Sequence, residues 1–135
     1  MYNHSIEIRV RYGETDKMGY LYYGNYAEYY EVGRVETIRT LGLSYKELED
    51  SGISMPVLDL QSTFVKPAHY DDVLTVKTTI TEMPKVRCFF SYEITNQKDE
   101  TINFGKTTLI FFDIKRRKPC RAPLELIEKL AQFFI

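Results

Sequence analysis

From Ile6 to Tyr12 the chain alternates, with Ile6, Ile8, Val10 and Tyr12 set against Glu7, Arg9 and Arg11. A period of two predicts a half-buried strand, ended by Gly13. Between Asn25 and Leu41 the period lengthens. Tyr26, Tyr29, Tyr30, Gly33, Thr37, Ile38 and Leu41 fall at three- and four-residue steps, while Glu28, Arg34, Glu36 and Arg39 take other positions. This predicts an amphipathic helix that starts at Gly24 or Asn25 and stops at Gly42. Gly33 inside it costs about 1 kcal/mol relative to alanine, which makes sense where the helix packs closely on a sheet. Ser44 and Glu47 have capping-box spacing, so a second, short helix is expected before Gly52.

The remainder reads mostly as strand. Ile53 to Val65 is one extended candidate interrupted by Pro56, and residues 66–72 form a turn region. Leu74, Val76, Thr78 and Ile80 alternate, as do Val86, Cys88, Phe90, Tyr92 and Ile94. Ile102 to Ile114 is the last strand, and residues 123–134 form a terminal helix with Pro123 in its first turn. There are no repeats, linkers or low-complexity tracts. A single α+β domain over residues 1–135 follows, its long helix packed on an antiparallel sheet. Phe89 next to Phe90 and Phe111 next to Phe112 put apolar groups on both faces of two strands. One face is left for the long helix; covering the other predicts a homodimer or larger oligomer, unless the terminal helix covers it.

Composition narrows the partners. With 18 basic and 19 acidic residues the formal net charge is -1, so no global attraction to nucleic acid or an anionic membrane is expected. No stretch approaches the roughly 18 apolar residues of a membrane span, and the N-terminus shows no signal peptide. Cys88 sits in an apolar run and Cys120 in a basic one. They do not form a disulfide framework, and a reducing, cytoplasmic compartment is the simpler expectation.

Candidate chemistry is sparse. There is no G-x-S-x-G elbow, P-loop or G-x-G-x-x-G. His69, near Asp71 and Asp72, reads as a solvated turn in preference to a metal site. Asp16 lies between a strand and a helix, flanked by Tyr20, Leu21, Tyr22 and Tyr23. On spacing alone, Glu14, Thr15 and Asp16 read as turn and cap residues. The chemical alternative makes Asp16 a general base or a nucleophile. Backbone N–H groups near Tyr22, Tyr23 and Gly24 would be unpaired at the helix start and able to hold an oxyanion. A thioester suits such a site, because its thiolate leaves without a strong general acid.

The run from Arg11 to Arg34, RYGETDKMGYLYYGNYAEYYEVGR, resembles the signature of the 4-hydroxybenzoyl-CoA thioesterase-like branch of the hotdog-fold acyl-CoA thioesterases, with Thr15, Asp16, Gly19, Tyr22, Tyr23, Tyr26, Glu31 and Arg34 fitting the pattern. Phe64 to Val76, FVKPAHYDDVLTV, resembles the family's second segment. The resemblance covers nearly the whole chain. It implies a five-stranded antiparallel sheet wrapped around a long central helix, with dimers joined edge to edge, frequent tetramers and acyl-CoA sites at the dimer interface. It also implies that Asp16 is the catalytic carboxylate and that the backbone N–H at Tyr23 is the oxyanion donor. The position of Tyr23 is histidine in one subgroup of the family, and this chain has no titrating histidine there.

The resemblance further suggests Gly19, Tyr22, Asn25 and Phe64 as substrate-binding residues, with Lys66 and Arg87 chosen among several basic residues to meet CoA phosphates. The activity expected is hydrolysis of an acyl-CoA to a free acid and CoA, with no cofactor beyond the substrate's own CoA and no metal. An acyl-carrier-protein thioesterase and a non-catalytic acyl-CoA or acyl-carrier binding module are the alternatives. The tyrosines hint at an aromatic or polar-ended acyl group, but such walls pack aliphatic chains equally well.

Overall fold

The computed structural model describes residues 1–134. Strand β1 (Tyr2–Arg9) is followed by helices α1 (Tyr26–Thr40) and α2 (Tyr45–Asp50). The short β2 (Ile53–Ser54), then β3 (Val57–Phe64), β4 (Val73–Ile80), β5 (Arg87–Thr95), β6 (Thr101–Asp113) and β7 (Lys118–Cys120) precede helix α3 (Leu124–Leu130). All pairings are antiparallel, and the sheet runs β1-β4-β5-β6 with β3 beyond β6. These five strands are the expected sheet. Two short additions extend the end of β6: β2 pairs Ser54 with Phe112, and β7 pairs Cys120 with Phe111.

Several boundaries differ from the sequence reading. The extended run from Ile53 divides at Met55-Pro56, because proline has no N–H to donate to a ladder. The basic segment before the terminal helix contributes β7, reached through a turn in which Arg117 takes φ 54°. The first strand ends at Arg9. Tyr12, predicted inward, opens a 3₁₀ turn and is 77% exposed.

The long helix lies against the sheet as expected, and two glycines let it do so. A Cβ on Gly33 would come within 2.5 Å of Thr78 Oγ1 and 3.0 Å of Val76 Cγ1. A Cβ on Gly105 of β6 would overlap the Tyr30 ring, 2.2 Å from Cζ. Tyr30, fully buried, crosses β6 over this glycine and stacks on Tyr92 with ring centroids 4.3 Å apart. Its hydroxyl meets Ser62 Oγ at 2.8 Å and donates to Asn103 Oδ1. An aliphatic residue would fill less of this space and could not hold the buried Asn103 amide oxygen.

The Ser44 cap and the two glycine stops behave as predicted, whereas Asn25 gives α1 no side-chain cap and Pro123 stands just before α3. Ser44 Oγ accepts the Glu47 N–H at 3.1 Å, and Gly42 and Gly52 end their helices at φ 85° and 101°. Leu126 and Leu130 of α3 join the same core as α1, so α3 does not cover the outer sheet face. That face carries Lys77, Thr79, Ser91 and Lys106 around an open groove of about 490 Å³. Edge strand β3 is exposed along most of its length, including Val57, Leu58, Leu60 and Phe64. Among the described residues, no helix is long and apolar enough to cross a membrane.

Candidate active site

Between β1 and α1 the chain makes a small hairpin. Thr15 pairs with Leu21, the Asp16 N–H donates to Tyr20 O at 2.8 Å, and the Tyr22 N–H donates to Glu14 O at 2.9 Å. The turn closes on Gly19, whose φ of 81° is the left-handed region that glycine enters freely. Asp16 shapes the turn with one oxygen: Oδ1 accepts the Met18 N–H at 2.9 Å and the Tyr20 N–H at 3.1 Å. Among the described residues, Oδ2 has no hydrogen-bond donor. The turn-residue reading of Asp16 is met by Oδ1, and Oδ2 stays unengaged by protein donors.

The hairpin leads into a 3₁₀ turn, Tyr23–Asn25, that runs directly into α1. Of the three backbone donors anticipated here, Tyr22 is engaged by Glu14 O, and this corrects the expectation for that residue. The N–H groups of Tyr23 and Gly24 donate to no acceptor among the described residues. They stand at the positive end of the α1 dipole.

A cleft of about 280 Å³ brings Asp16 together with Tyr23, Phe64 and Lys66, four of the residues selected from sequence. Its remaining wall includes Met18, Leu21, Tyr26 and Pro67. The ring of Phe64 sits edge-on to Tyr26 at 5.1 Å and to Tyr23 at 6.5 Å, and Phe64 is 51% exposed. Burial, followed by the neighbouring Tyr30, pushes the Tyr26 hydroxyl up to about 12, so it is a neutral phenol at pH 7. The Leu21 N–H donates to Ala68 O at 2.7 Å, which fastens the hairpin to the Lys66–Asp72 turn and closes one wall.

The other selected residues are placed differently. Gly19 shapes the turn and, like Tyr22, is not part of the cleft wall. The Asn25 side-chain amide donates to Glu14 O at 2.8 Å, so it binds protein. Lys66 Nζ reaches Glu100 Oε2 at 2.6 Å, an exposed pair. Arg87 lines a separate groove with Lys85 and Phe89, beside Ile110 at the far end of β6. Arg34, part of the motif, is 7% exposed and lies away from the cleft.

The sequence marks Glu14 only as a turn residue. Glu14 is 8% exposed and accepts five hydrogen bonds, three on its carboxylate (two from Arg11 and one from Tyr29) and two on its carbonyl (from Tyr22 and Asn25). Burial alone would raise its carboxyl. Hydrogen bonds from the Arg11 side chain, the Arg11 N–H and the Tyr29 hydroxyl outweigh that and hold it below the ordinary glutamate range. Nothing in the local pattern marks it, because the chain leaves strand periodicity just before it. Among the described residues, no group of three or more His, Cys, Asp or Glu is arranged to hold a metal ion.

Comparison with known proteins places the chain. The sequence profile of the thioesterase-like superfamily matches residues 10–130. A Bacillus subtilis protein described as "Putative acyl-CoA thioesterase YneP" is 36% identical over 113 residues, covering 84% of this chain and 82% of that protein. The crystal structure of a DHNA-CoA thioesterase from Staphylococcus aureus superposes with a TM-score of 0.93 at 38% identity, over 98% of this chain and 91% of that one. A 4-hydroxybenzoyl CoA thioesterase solved with 4-hydroxybenzoyl CoA superposes at 0.85 over 96% of this chain and 99% of that one, with 21% identity, and shares the fold. The chain therefore belongs to the thioesterase-like superfamily, as a thioester hydrolase built on the hotdog fold.

Proposed function

We propose that the chain hydrolyses an acyl-CoA to the free acid and CoA at the Asp16 cleft. The observation that carries this reading is that Asp16, with an uncommitted carboxylate oxygen, and Tyr23, with an uncommitted backbone N–H, line one mostly apolar cleft, the free N–H of Gly24 following next in the chain. The thioester carbonyl oxygen accepts from Tyr23 and Gly24, which stabilise the negative charge that develops on it. Asp16 Oδ2 faces the carbonyl carbon and either takes a proton from the attacking water or attacks to give an anhydride that water then opens. CoA departs as the thiolate. The reaction in this form uses water and no cofactor beyond the CoA of the substrate.

The volume of about 280 Å³ lies just below the usual range of ligand pockets, roughly 300–1,000 Å³, and suits the acyl group alone. The ring-rich wall accepts an aromatic or an aliphatic acyl group alike, and the DHNA-CoA in the name of the structural neighbour at 38% identity favours an aromatic one. An assay of CoA release across aromatic, short and long acyl-CoA esters tests the reading. Fastest turnover of DHNA-CoA or 4-hydroxybenzoyl-CoA is expected; no release from any ester would end it. Faster turnover of acyl-carrier-protein thioesters would move the substrate to that class. Solvent oxygen-18 in a single turnover separates the two routes, since label entering the Asp16 carboxylate requires attack by Asp16.

The working unit in this reading is a homodimer joined through the exposed β3 edge, located in the cytoplasm. Antiparallel pairing of two β3 strands brings the Phe64 end of one copy to the Val57 end of the other. The groove containing Arg87 lies at that second end, so each cleft receives its phosphate-binding cations from the opposite copy.

A further inference from the structure

One residue outside the cleft, two positions before Asp16, bonds the backbone on both sides of the free N–H groups. The Glu14 carbonyl accepts the Tyr22 N–H at 2.9 Å and the Asn25 Nδ2 at 2.8 Å. These two bonds lie on either side of Tyr23 and Gly24, so they fix the backbone that carries both free N–H groups. The Glu14 carboxylate accepts the Tyr29 hydroxyl and the Arg11 N–H on Oε1, each at 2.9 Å, and the Arg11 guanidinium on Oε2 at 3.0 Å. Tyr29 is buried in α1, one turn beyond its start. Asp16 follows Glu14 by two residues in the same hairpin. The hairpin that carries Asp16 and the backbone that carries the oxyanion donors are therefore both tied to one buried residue, through its carbonyl at Tyr22 and Asn25 and its carboxylate at Tyr29 and Arg11, and that residue does not itself line the cleft.

We propose that Glu14 is a positioning residue: by clamping Tyr29, Arg11, Tyr22 and Asn25 it sets the spacing between the Asp16 carboxylate and the Tyr23 and Gly24 N–H groups. The inference rests on the reading of that cleft as the reaction site. A carboxylate suits the task because it is an acceptor at both oxygens and cannot satisfy itself locally. Three converging donors hold it in one rotamer, and that rigidity passes to the hairpin. A misplacement of about 1 Å in such a site costs on the order of 100-fold in rate, so the clamp affects turnover more than binding.

The test uses the full chain with Glu14→Gln, Tyr29→Phe and Asn25→Ala, each beside Asp16→Asn. CoA release gives kcat and KM, and thermal unfolding checks that each variant is folded. Glu14→Gln keeps the shape and one acceptor oxygen. Tyr29→Phe removes a single hydroxyl. Asn25→Ala frees the helix start without touching the carboxylate, which covers the case in which Glu14→Gln fails to fold. Falls in kcat of roughly 10- to 100-fold with KM within about twofold are expected in folded protein. In the Asp16→Asn background the Glu14→Gln loss should shrink, since the two act through one geometry. Wild-type kcat in folded Tyr29→Phe and Asn25→Ala, or a change confined to KM, would overturn the positioning role. If those losses are absent while Asp16→Asn is still slow, Glu14 alone is misassigned; wild-type turnover by Asp16→Asn overturns the reading of the cleft as well.

Discussion

At the scale of single residues, Asp16 offers an unusually clean substitution. Its Oδ1 holds two turn N–H groups, and asparagine keeps that acceptor while removing the charge. Asp16→Asn should therefore leave the unfolding temperature within a degree or two and lower kcat by about 10²- to 10⁴-fold, the usual range for a lost acid–base group. Steady-state CoA release with a parallel melting curve decides it; turnover within threefold of wild type would remove Asp16 from the chemistry. Glu14 makes a different prediction, in pH. Its folded carboxyl lies below its unfolded value, so the stability it contributes is present in full above the ordinary glutamate range, about 4.3. That contribution is lost as pH falls through the folded value. The melting-temperature gap between wild type and Glu14→Gln should narrow as pH is lowered from 7 towards 3, and a gap that stays constant would contradict it.

At the scale of elements, the contact between α1 and the sheet depends on missing side chains. Gly33→Ala gains about 1 kcal/mol of helix propensity, yet its methyl would press on Thr78 Oγ1 at 2.5 Å and Val76 at 3.0 Å. Gly105→Ala has no compensating gain and drives a methyl into the buried Tyr30 ring. Urea unfolding should show both less stable, Gly105→Ala by about 1–3 kcal/mol or more, with Gly33→Ala the milder. Equal or greater stability in either would mean the helix sits farther from the sheet. The periodicity of 25–41 was enough to locate this helix and to suggest why Gly33 is there. The partner of Gly105 was not legible, because Tyr30 and β6 meet only after a separation of 75 residues in the chain. The edge of β3 was also hidden. Its residues read only as part of one extended run, and the strand order shows that one side has no neighbour.

At the scale of the whole molecule, Asp16 and Arg87 are separated along one sheet. Phe64, beside the cleft, is opposite Asn103, whereas Arg87 is opposite Ile110. From Asn103 to Ile110 β6 extends roughly 24 Å at a strand rise of about 3.4 Å per residue. Pairing of two β3 edges about a twofold axis reverses one sheet against the other and brings these unlike ends together. Two consequences are measurable. Analytical ultracentrifugation should show a dimer or tetramer, and Leu60→Lys on the β3 edge should shift it towards monomer with loss of turnover. Asp16→Asn and Arg87→Glu chains, each nearly inactive, should recover about a quarter of wild-type activity when refolded together, because each mixed dimer contains one intact site. Recovery no greater than the sum of the separate variants would place both residues in the same protomer's site, or Arg87 in none.

The sequence by itself determined the long helix, the main strands and the chemical candidate. Side-chain period separates strand from helix, local turn chemistry marks Gly42, Ser44 and Gly52, and the motif around Asp16 carries the family resemblance. These are all short-range signals, written in neighbouring residues. Only the tertiary structure decided which groups are committed to other partners. It showed that Tyr22 and Asn25 are occupied by the Glu14 carbonyl, that Asp16 has one oxygen to spare, and that Tyr23 and Gly24 keep free N–H groups. It also set Arg87 at the opposite end of the sheet and buried Glu14 beneath the hairpin. Hydrogen-bond satisfaction and burial depend on groups brought together from distant parts of the chain, so no local pattern specifies them.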